Sequence, residues 1–492
     1  MNSTFDAEVS LRLPLADAAF RLLDHAFDGD FLDGVFERNH GRSYEGTISF
    51  PLFVNLVADS LLGHRGPSAH QAFKAAQADA SLDASVQAMY AKLRRVPLTL
   101  SSGLFAEAAA RLRAVSSSVV ANPLPTSLAA LWCLGFDGKK LKYVAKQLKA
   151  LRGLKGNIFG GKLLVVQDMA TQQAVAAAAT ADGEAADNPL VPQAVAQVRA
   201  LPDSRPRLWV GDRAFCDYKL LRLLSADDDH FLVRFNTSCG FHADPSVPVR
   251  TGIDEEQRPY REEWGWLGAP KNPHRGRVRM ITVTRAKDDP LIFVTSLLDA
   301  DLYPAVELLT AYRSRWGIEV MFQKVVQTFD LRHLIGGTPN ATVFQAMICF
   351  VLYNITLIIR DYAATAAARE PKTVSLHLLF DHLVRDLTAW VEVIGNAATL
   401  ERLRATKIHG VDELRRHLQN ILGAVWTDLW EKASTRKGRP RSTPRAYICG
   451  GHTSVAKILR GEHKEIPLQP SGEKKLSESA GNTPPYEATK DV

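Results

Sequence analysis

The chain has 492 residues, of which 46% are hydrophobic, and this suffices for about two to four structural units with cores of their own. Wholesale disorder is therefore excluded. Lys and Arg number 60 against 53 Asp and Glu, a net charge of +7 that says little by itself, but the basic run from Lys139 to Lys162 contains no acidic residue and would attract a polyanion. The five cysteines are scattered and contain no CxxC pair, which excludes a disulfide framework and a cysteine-based zinc site.

Nothing in the sequence predicts secretion or a membrane partner. The first residues carry Asp6 and Glu8 where a signal peptide would have a basic region, so we expect a cytoplasmic protein. The longest apolar stretch, Ala346 to Ile359, is shorter than the 18 or so residues that a membrane span needs. It predicts a buried helix.

Residues 1–125 are predicted to form an all-helical N-terminal domain. Apolar residues recur at helical spacing, for example from Ala19 to Phe27 and from Leu104 to Val115. The proline-rich segment ANPLPTS, residues 121–127, marks the end of this domain.

Strands and helices are predicted to alternate from residue 126 to residue 362, which is typical of an α/β sheet covered by helices. A polar, Trp-containing stretch interrupts the alternation and predicts a β-type insertion at about 239–290. Two helical segments follow, from Tyr303 to Phe329 and from Ala341 to Tyr362. Residues 363–432 are predicted to be C-terminal helices, and residues 433–492 a basic, disordered tail.

Three carboxylates are candidates for a shared site. Asp137 closes the apolar run LWCLGF and Asp212 closes RLWVG, so both are expected at the C-terminal ends of strands, where open α/β sheets bind ligands. Glu319 lies in a predicted helix. Two strand-end aspartates and a helical glutamate can converge on hard cations such as Mg²⁺, and two such ions can support phosphodiester chemistry.

Helical spacing groups further polar residues with Glu319. At about 100° per residue, Tyr312, Arg315 and Gln323 fall on the same helix face. An Arg one turn from a metal-binding carboxylate can hold a phosphate. The alternative is a solvated Arg–Glu pair that contributes only a few tenths of a kcal/mol.

These residues resemble a known family. The string YRSRWGIEVMF, residues 312–322, is similar to the signature helix of bacterial cut-and-paste transposases of the insertion sequence 4 family. That helix has a Tyr, an Arg three residues on, and the catalytic Glu four residues later. FDGKKL resembles the strand that carries the family's first aspartate, and VGDRAF resembles the second. The resemblance covers roughly residues 130–362.

The resemblance implies a ribonuclease H-like catalytic core in which Asp137, Asp212 and Glu319 bind two Mg²⁺ ions, for which Mn²⁺ can substitute. It implies metal-dependent cleavage and strand transfer at the ends of an insertion sequence. The partner would be double-stranded DNA, both element ends and target, bound by a homodimer. Tyr312 and Arg315 are similar to residues that grip the DNA backbone.

One position departs from the family pattern. The family has a Lys seven residues after the Glu, and this chain has Val326 there. Lys324 points about 140° away from Glu319 on a helix, so Gln323 is the alternative polar residue. Two other functions therefore stay open: a ribonuclease H-like nuclease without strand transfer, and a decayed copy that only binds DNA.

Other signals have two interpretations each. Trp264 or Trp266 can hold an extruded base or belong to a local core. Arg213 can contact a phosphate or pair with a neighbouring carboxylate. Basic residues between Lys139 and Lys162, and the tail string RKGRPRSTPR, can bind DNA or be solvated surface. Binding of the element ends by the N-terminal helices rests on the family resemblance alone.

Overall fold

The computed structural model describes most of residues 12–432. The continuous ranges are 12–41, 46–62, 68–78, 80–116, 122–141, 158–286, 288–329, 335–394 and 410–432, with isolated positions at 331, 408, 453, 454, 456 and 459–461. The tail string RKGRPRSTPR and most of the basic run after Lys140 lie outside the described residues.

Helices occupy the N-terminal region, as the apolar spacing predicts. Side chains of Asp28 and Ser85 accept hydrogen bonds from backbone N–H groups in the first turns of two of them, a common way to begin a helix. The helices are α1 (Pro14–Phe27), α2 (Gly29–Asn39), α3 (Phe50–Leu62), α4 (Ala69–Ala78), α5 (Val86–Arg95) and α6 (Leu98–Val115).

One large mixed sheet follows, with helices between its strands. Its strands are β1 (Trp132–Lys140), β3 (Lys162–Asp168), β4 (Ala174–Thr180), β5 (Arg207–Gly211), β6 (His230–Arg234), β7 (Phe241–Ala243), β8 (Arg250–Ile253), β9 (Pro259–Leu267), β10 (Gly276–Val283) and β11 (Leu291–Thr295). The helices among them are α7 (Val191–Arg199) and α8 (Tyr218–Leu224). A separate two-residue strand, β2 (Ile158–Phe159), pairs with β12 (Thr453–Ser454).

The sheet has the order β4-β3-β1-β5-β6-β11-β10-β9-β7, and β8 also pairs with β9. Strands β1, β5 and β6 are parallel, while β3 is antiparallel to both β1 and β4. Helix α8 connects β5 to β6, and α7 precedes β5; both place apolar residues against one face of the sheet. The fold is therefore mixed α/β with a large sheet.

The predicted insertion has the expected β character. Its strands β7 to β10 continue the main sheet, because β10 pairs with β11 and β11 pairs with β6. A buried ion pair between Arg279 of β10 and Glu262 of β9 fixes their register, with Arg279 Nε 2.6 Å from Glu262 Oε2.

Helices complete the described chain: α9 (Ala305–Ser314), α10 (Trp316–Thr328), α11 (Pro339–Ala366), α12 (Leu376–Ile394) and α13 (Val411–Leu422). The apolar run from Ala346 to Ile359 lies within α11 and is buried, as predicted. Among the described helices, α11 has the length and composition to cross a membrane, but its apolar window is wholly covered by the rest of the protein.

The hydrophobic core crosses the boundary predicted near residue 125. Phe53 of α3 stacks on Phe344 of α11 with ring centroids 4.8 Å apart, and Phe105 of α6 lies 5.9 Å from Phe350. These helices share one apolar cluster with α10, α12, α13 and one face of β3 and β4. Residue 125 is therefore a change of secondary structure inside a continuous core, since apolar helix faces on both sides of it bury each other.

Candidate active site

The pairing of β1 with β5 brings the two aspartates to one place. The last parallel pair between these strands is Gly135 with Val210, and Asp137 and Asp212 each lie two residues beyond it. Because side chains alternate along a strand, both aspartates project to the same sheet face as Val210. Helices α9 and α10 lie on this face.

The two aspartates differ in how their strands end. Asp212 directly follows β5, as predicted. Asp137, in contrast, lies inside β1, which continues to Lys140 because the antiparallel neighbour β3 keeps pairing with it, Asp137 opposite Val165. The prediction that Asp137 ends its strand is therefore wrong, although Asp137 does lie beyond the end of the pairing with β5.

The long helix predicted from Tyr303 to Phe329 is two helices that meet at Arg315. The N–H of Arg315 donates to Tyr312 O at 3.1 Å, and Ile318 N–H donates to Arg315 O at 3.0 Å, which are i to i−3 bonds of a tighter turn. A spacing of 100° per residue therefore places Glu319 and Gln323 on one face of α10. It does not relate Tyr312, which lies in α9, to that face.

Arg315 lies among the three predicted carboxylates. Its Nη2 is 3.3 Å from Glu319 Oε1, and its Nη1 is 3.8 Å from Asp137 Oδ2. Arg315 is only 8% exposed, so the interpretation of its contact with Glu319 as a solvated Arg–Glu pair is wrong. Nε and Nη1 are buried and have no hydrogen-bond partner among the described residues.

Electrostatics link Asp212 to the same group. Burial would lower the pKa of Arg315, but the pKa is raised because Tyr312, Asp137, Asp212 and Glu319 all favour the charged guanidinium. Burial raises the pKa of Asp137 to about 6, and the hydrogen bond from Gly138 N–H and the charge of Arg315 only partly oppose this. Asp137 and Glu319 thus share one buried cation, and the charge of Asp212 also favours its charged form.

The other predicted site residues lie at different distances from this centre. Tyr312 is half-buried, packs against Phe293 with ring centroids 4.6 Å apart, and lies under Arg315 at 5.5 Å. Gln323 is exposed on α10. Arg213 is exposed in a short 3₁₀ turn, and its N–H donates to Asp212 Oδ1 at 2.6 Å. The structure gives the Arg213 side chain no ion pair with a described residue.

The donor set suits a hard cation, because it consists of carboxylate oxygens without nitrogen or sulfur ligands. Asp137 and Glu319 already approach one positive group, the guanidinium of Arg315. Within the described parts of the chain, no three His, Cys, Asp or Glu side chains are close enough together to hold one ion. A metal held by Asp137 and Glu319 would therefore replace Arg315 as their cation.

A fourth carboxylate, Asp187, lies beside Asp137 and was not found from the sequence. It contributes to the raised pKa of Asp137 and pairs with Lys162, with Oδ1 2.7 Å from Nζ. A Cβ at Gly138 would lie 1.9 Å from Asp187 Oδ1, so a side chain there would displace the Asp187 carboxylate. No local motif marks Asp187, because tertiary packing alone brings it to β1.

The two tryptophans of the insertion have different environments. Trp264 is 8% exposed and its indole N–H donates to Leu298 O at 2.7 Å, which supports the local-core interpretation. Trp266 is half-buried, and the guanidinium of Arg275 lies over its ring, 4.2 Å from the ring centroid. A cation over its face gives Trp266 a packing role as well.

Neither Val326 nor Lys324 faces the carboxylates. Val326 packs against the large apolar cluster. Lys324 is half-buried, and burial, followed by the charges of Lys432 and Arg360, lowers its pKa to about 8.

We expect Lys324→Met to stabilise the protein at neutral pH by about 1–3 kcal/mol. The ordinary Lys pKa of 10.5 in the unfolded chain lies above the value of about 8 in the folded protein. The unfolded chain therefore binds the proton more tightly, so the cost of burying the ammonium is full below about pH 8 and disappears towards pH 10.5. Denaturant titrations at pH 7 and at pH 10 measure the difference.

The matched control is Lys219→Met at an exposed position, which we expect to change the free energy of unfolding by less than about 0.5 kcal/mol at either pH. A Lys324→Met protein that is less stable than the wild type at pH 7 would contradict the burial cost.

A known protein family matches the segment that contains these residues. Residues 137–355 match the family described as "Transposase DDE domain", a segment that begins at Asp137 and contains Asp212 and Glu319. DDE transposase domains generally use divalent metal ions.

The chain is also similar to one curated protein and to one solved structure. The chain is 35% identical over 81 residues to "Putative transposase y4zB" of Sinorhizobium fredii (strain NBRC 101917 / NGR234), which is 16% of this chain and 22% of that protein. A piggyBac transposase, solved in a synaptic complex with hairpin DNA, is 11% identical with a TM-score of 0.40, over 82% of this chain and 85% of the other. Residues 137–355 are thus similar to the DDE domain of transposases.

Proposed function

We propose that this protein is a cut-and-paste DNA transposase of the insertion sequence 4 family. It cleaves phosphodiesters at the ends of its element and joins the freed 3′-hydroxyl to target DNA. The reaction would take place in the bacterial cytoplasm, at the nucleoid, on a homodimer that brings two element ends together.

The observation that carries the proposal is the approach of Asp137 and Glu319 to the guanidinium of Arg315, at 3.8 and 3.3 Å, with Asp212 two residues beyond the β1–β5 pairing on the same sheet face. The carboxylates come from two parallel strands and one helix that are far apart in sequence. The β4-β3-β1-β5-β6 part of the sheet, with β3 antiparallel, supports a ribonuclease H-like core for this site.

Asp137, Asp212 and Glu319 would hold the divalent ions, two Mg²⁺ or Mn²⁺. Bound there, the ions would activate the attacking oxygen and stabilise the leaving oxygen. Arg315 would then turn its planar guanidinium from the carboxylates to a phosphate, which it can bind with two parallel hydrogen bonds.

The neighbouring polar residues would position the DNA. The phenol of Tyr312 lies against Arg315 and supports its guanidinium. Arg213 is exposed one residue after Asp212, where it can meet the backbone of the DNA, and Gln323 is exposed one turn after Glu319. The N-terminal helices α1 to α6 would recognise the element ends.

The test uses purified full-length protein, labelled duplexes from the DNA that flanks its own reading frame, and Mg²⁺ or Mn²⁺. Nicking and joining are scored on denaturing gels beside a Glu319→Gln control. We expect nicking and joining with the wild type and neither with the control.

Each other outcome indicates another function. Nicking without joining would indicate the nuclease, and specific binding without nicking would indicate a decayed copy. Equal nicking by wild type and control would remove Glu319 from the site.

A further inference from the structure

A DNA backbone at the proposed site needs more positive charge than Arg315 provides, and helix α10 does not supply a lysine for it. Val326 packs into the apolar cluster, and Lys324 lies near Lys432 and Arg360, away from Asp137. The next place to look is therefore the strand that faces α10.

Strand β1 presents a lysine to the same helix. Lys139 lies two residues after Asp137, so the alternation of side chains places both on the same face of the sheet. The ammonium of Lys139 lies 5.2 Å from the ring centroid of Phe322, which follows Glu319 by three residues on α10.

These contacts fix how the strand and the helix are aligned. Asp137 lies opposite Arg315, and Lys139 lies opposite Phe322, so β1 and α10 advance in the same direction. Two residues of strand span about 6.6 Å. The ammonium is thus about one helical turn further along than the carboxylate centre, on the same side of the helix as Glu319.

The ring of Phe322 restrains the ammonium while leaving it charged. A cation over an aromatic face is attracted by the ring, which orders the long lysine side chain. Phe322 is 3% exposed and rigidly packed, whereas Lys139 is half-buried and reaches solvent. A compact charge held in this way suits a phosphate oxygen.

We infer that Lys139 binds a backbone phosphate of the DNA next to the one engaged by the carboxylate site. The lysine contact that the family resemblance would place on the helix at position 326 is made here from β1. The inference rests on the proposed function and adds a DNA-binding residue to it.

The test measures phosphate contacts one at a time. Wild type, Lys139→Met and Lys140→Met are titrated onto labelled duplexes in which single phosphates along the bound region are replaced by neutral methylphosphonates. Met keeps the length and apolar stem of lysine over the ring. Lys140 is the matched control, because it is the next residue, projects to the other face, and lies 5.0 Å from the ring of Phe159.

We expect Lys139→Met to weaken binding about tenfold at 0.1 M salt and to lower the slope of log affinity against log salt by about 1. At one phosphate, the methylphosphonate should weaken binding by the wild type and by Lys140→Met but not by Lys139→Met. Lys139→Arg should restore the sensitivity at that phosphate.

If the methylphosphonate at every phosphate weakens binding equally for the wild type and Lys139→Met, and the two proteins melt at the same temperature, the inference is overturned. Failure of the proposed function is distinguishable, because it shows as absence of nicking by the wild type, whereas this measurement needs only binding. If Lys139→Met lowers the melting temperature, Lys139→Arg is compared with the wild type on the duplex with the methylphosphonate at that phosphate. A Lys139→Arg protein whose binding is not weakened by this methylphosphonate would contradict a charge contact.

Discussion

Asp137→Asn, Asp212→Asn and Glu319→Gln are each expected to reduce strand cleavage by about a thousandfold or more while leaving DNA affinity within a few fold. Each change removes the charge of one proposed metal ligand with little change in volume. Loss of metal-borne stabilisation costs several kcal/mol of transition-state energy, and about 1.4 kcal/mol corresponds to a factor of ten. Single-turnover nicking and equilibrium binding to the same duplex measure the two quantities.

The matched control for these variants is Asp187→Asn. Asp187 is a carboxylate beside Asp137, but its partner is Lys162 at 2.7 Å and it lies outside the group around Arg315. We expect cleavage by Asp187→Asn to stay within about tenfold of the wild type. If a variant of Asp137, Asp212 or Glu319 cleaves as fast as Asp187→Asn, the residue changed in it is not part of the catalytic site.

Mn²⁺ binding gives a measurement independent of activity. Asp137 and Glu319 contact the cationic group of Arg315, and a bound Mn²⁺ would take its place. Removal of either carboxylate should therefore weaken Mn²⁺ binding, measured by electron paramagnetic resonance. Unchanged Mn²⁺ affinity in both variants would place the metal elsewhere.

Glu262→Gln is expected to lower the free energy of unfolding by about 3–5 kcal/mol. Arg279 is fully buried, and its Nε and Nη2 lie 2.6 and 2.5 Å from Glu262 Oε2. Burial lowers the pKa of Arg279 while the carboxylate of Glu262 favours its charged form. Without that carboxylate the guanidinium remains a buried charge with only neutral partners. Urea titration followed by circular dichroism measures the loss.

The neighbouring pair of the same strand provides the control. Arg261 and Glu263 also form an ion pair at 2.5 Å, but the Arg261 side chain is 55% exposed. Glu263→Gln should therefore cost less than about 1 kcal/mol. Equal stability losses for Glu262→Gln and Glu263→Gln would show that burial does not set the strength of the Arg279 pair.

The Arg279 pair also connects the insertion to the helices of the site. Arg279 Nη1 donates to Tyr303 O at 2.7 Å, just before α9, which carries Tyr312. A loosened insertion is therefore expected to reduce cleavage as well as stability, since α9 leads directly into Arg315 and α10.

The sequence alone determined the elements that carry the chemistry. The apolar runs LWCLGF and RLWVG predict two strands, and the helical pattern from Tyr303 to Phe329 predicts the helix of Glu319 but not its break at Arg315. The 75-residue separation of Asp137 and Asp212 equals the offset of the paired residues Gly135 and Val210, so the pairing of β1 with β5 agrees with the predicted convergence. These signals are local, because hydrophobic periodicity and apolar runs are properties of residues that are close in sequence.

Only the tertiary structure decided how these elements meet. The break at Arg315, the burial of its guanidinium among carboxylates, the approach of Asp187 and the position of Lys139 over Phe322 all depend on segments far apart in the chain. The apolar environment of Val326 and the core that crosses residue 125 likewise arise from helix packing. Burial and alignment are set by which surfaces close against each other, and no single stretch of sequence contains that information.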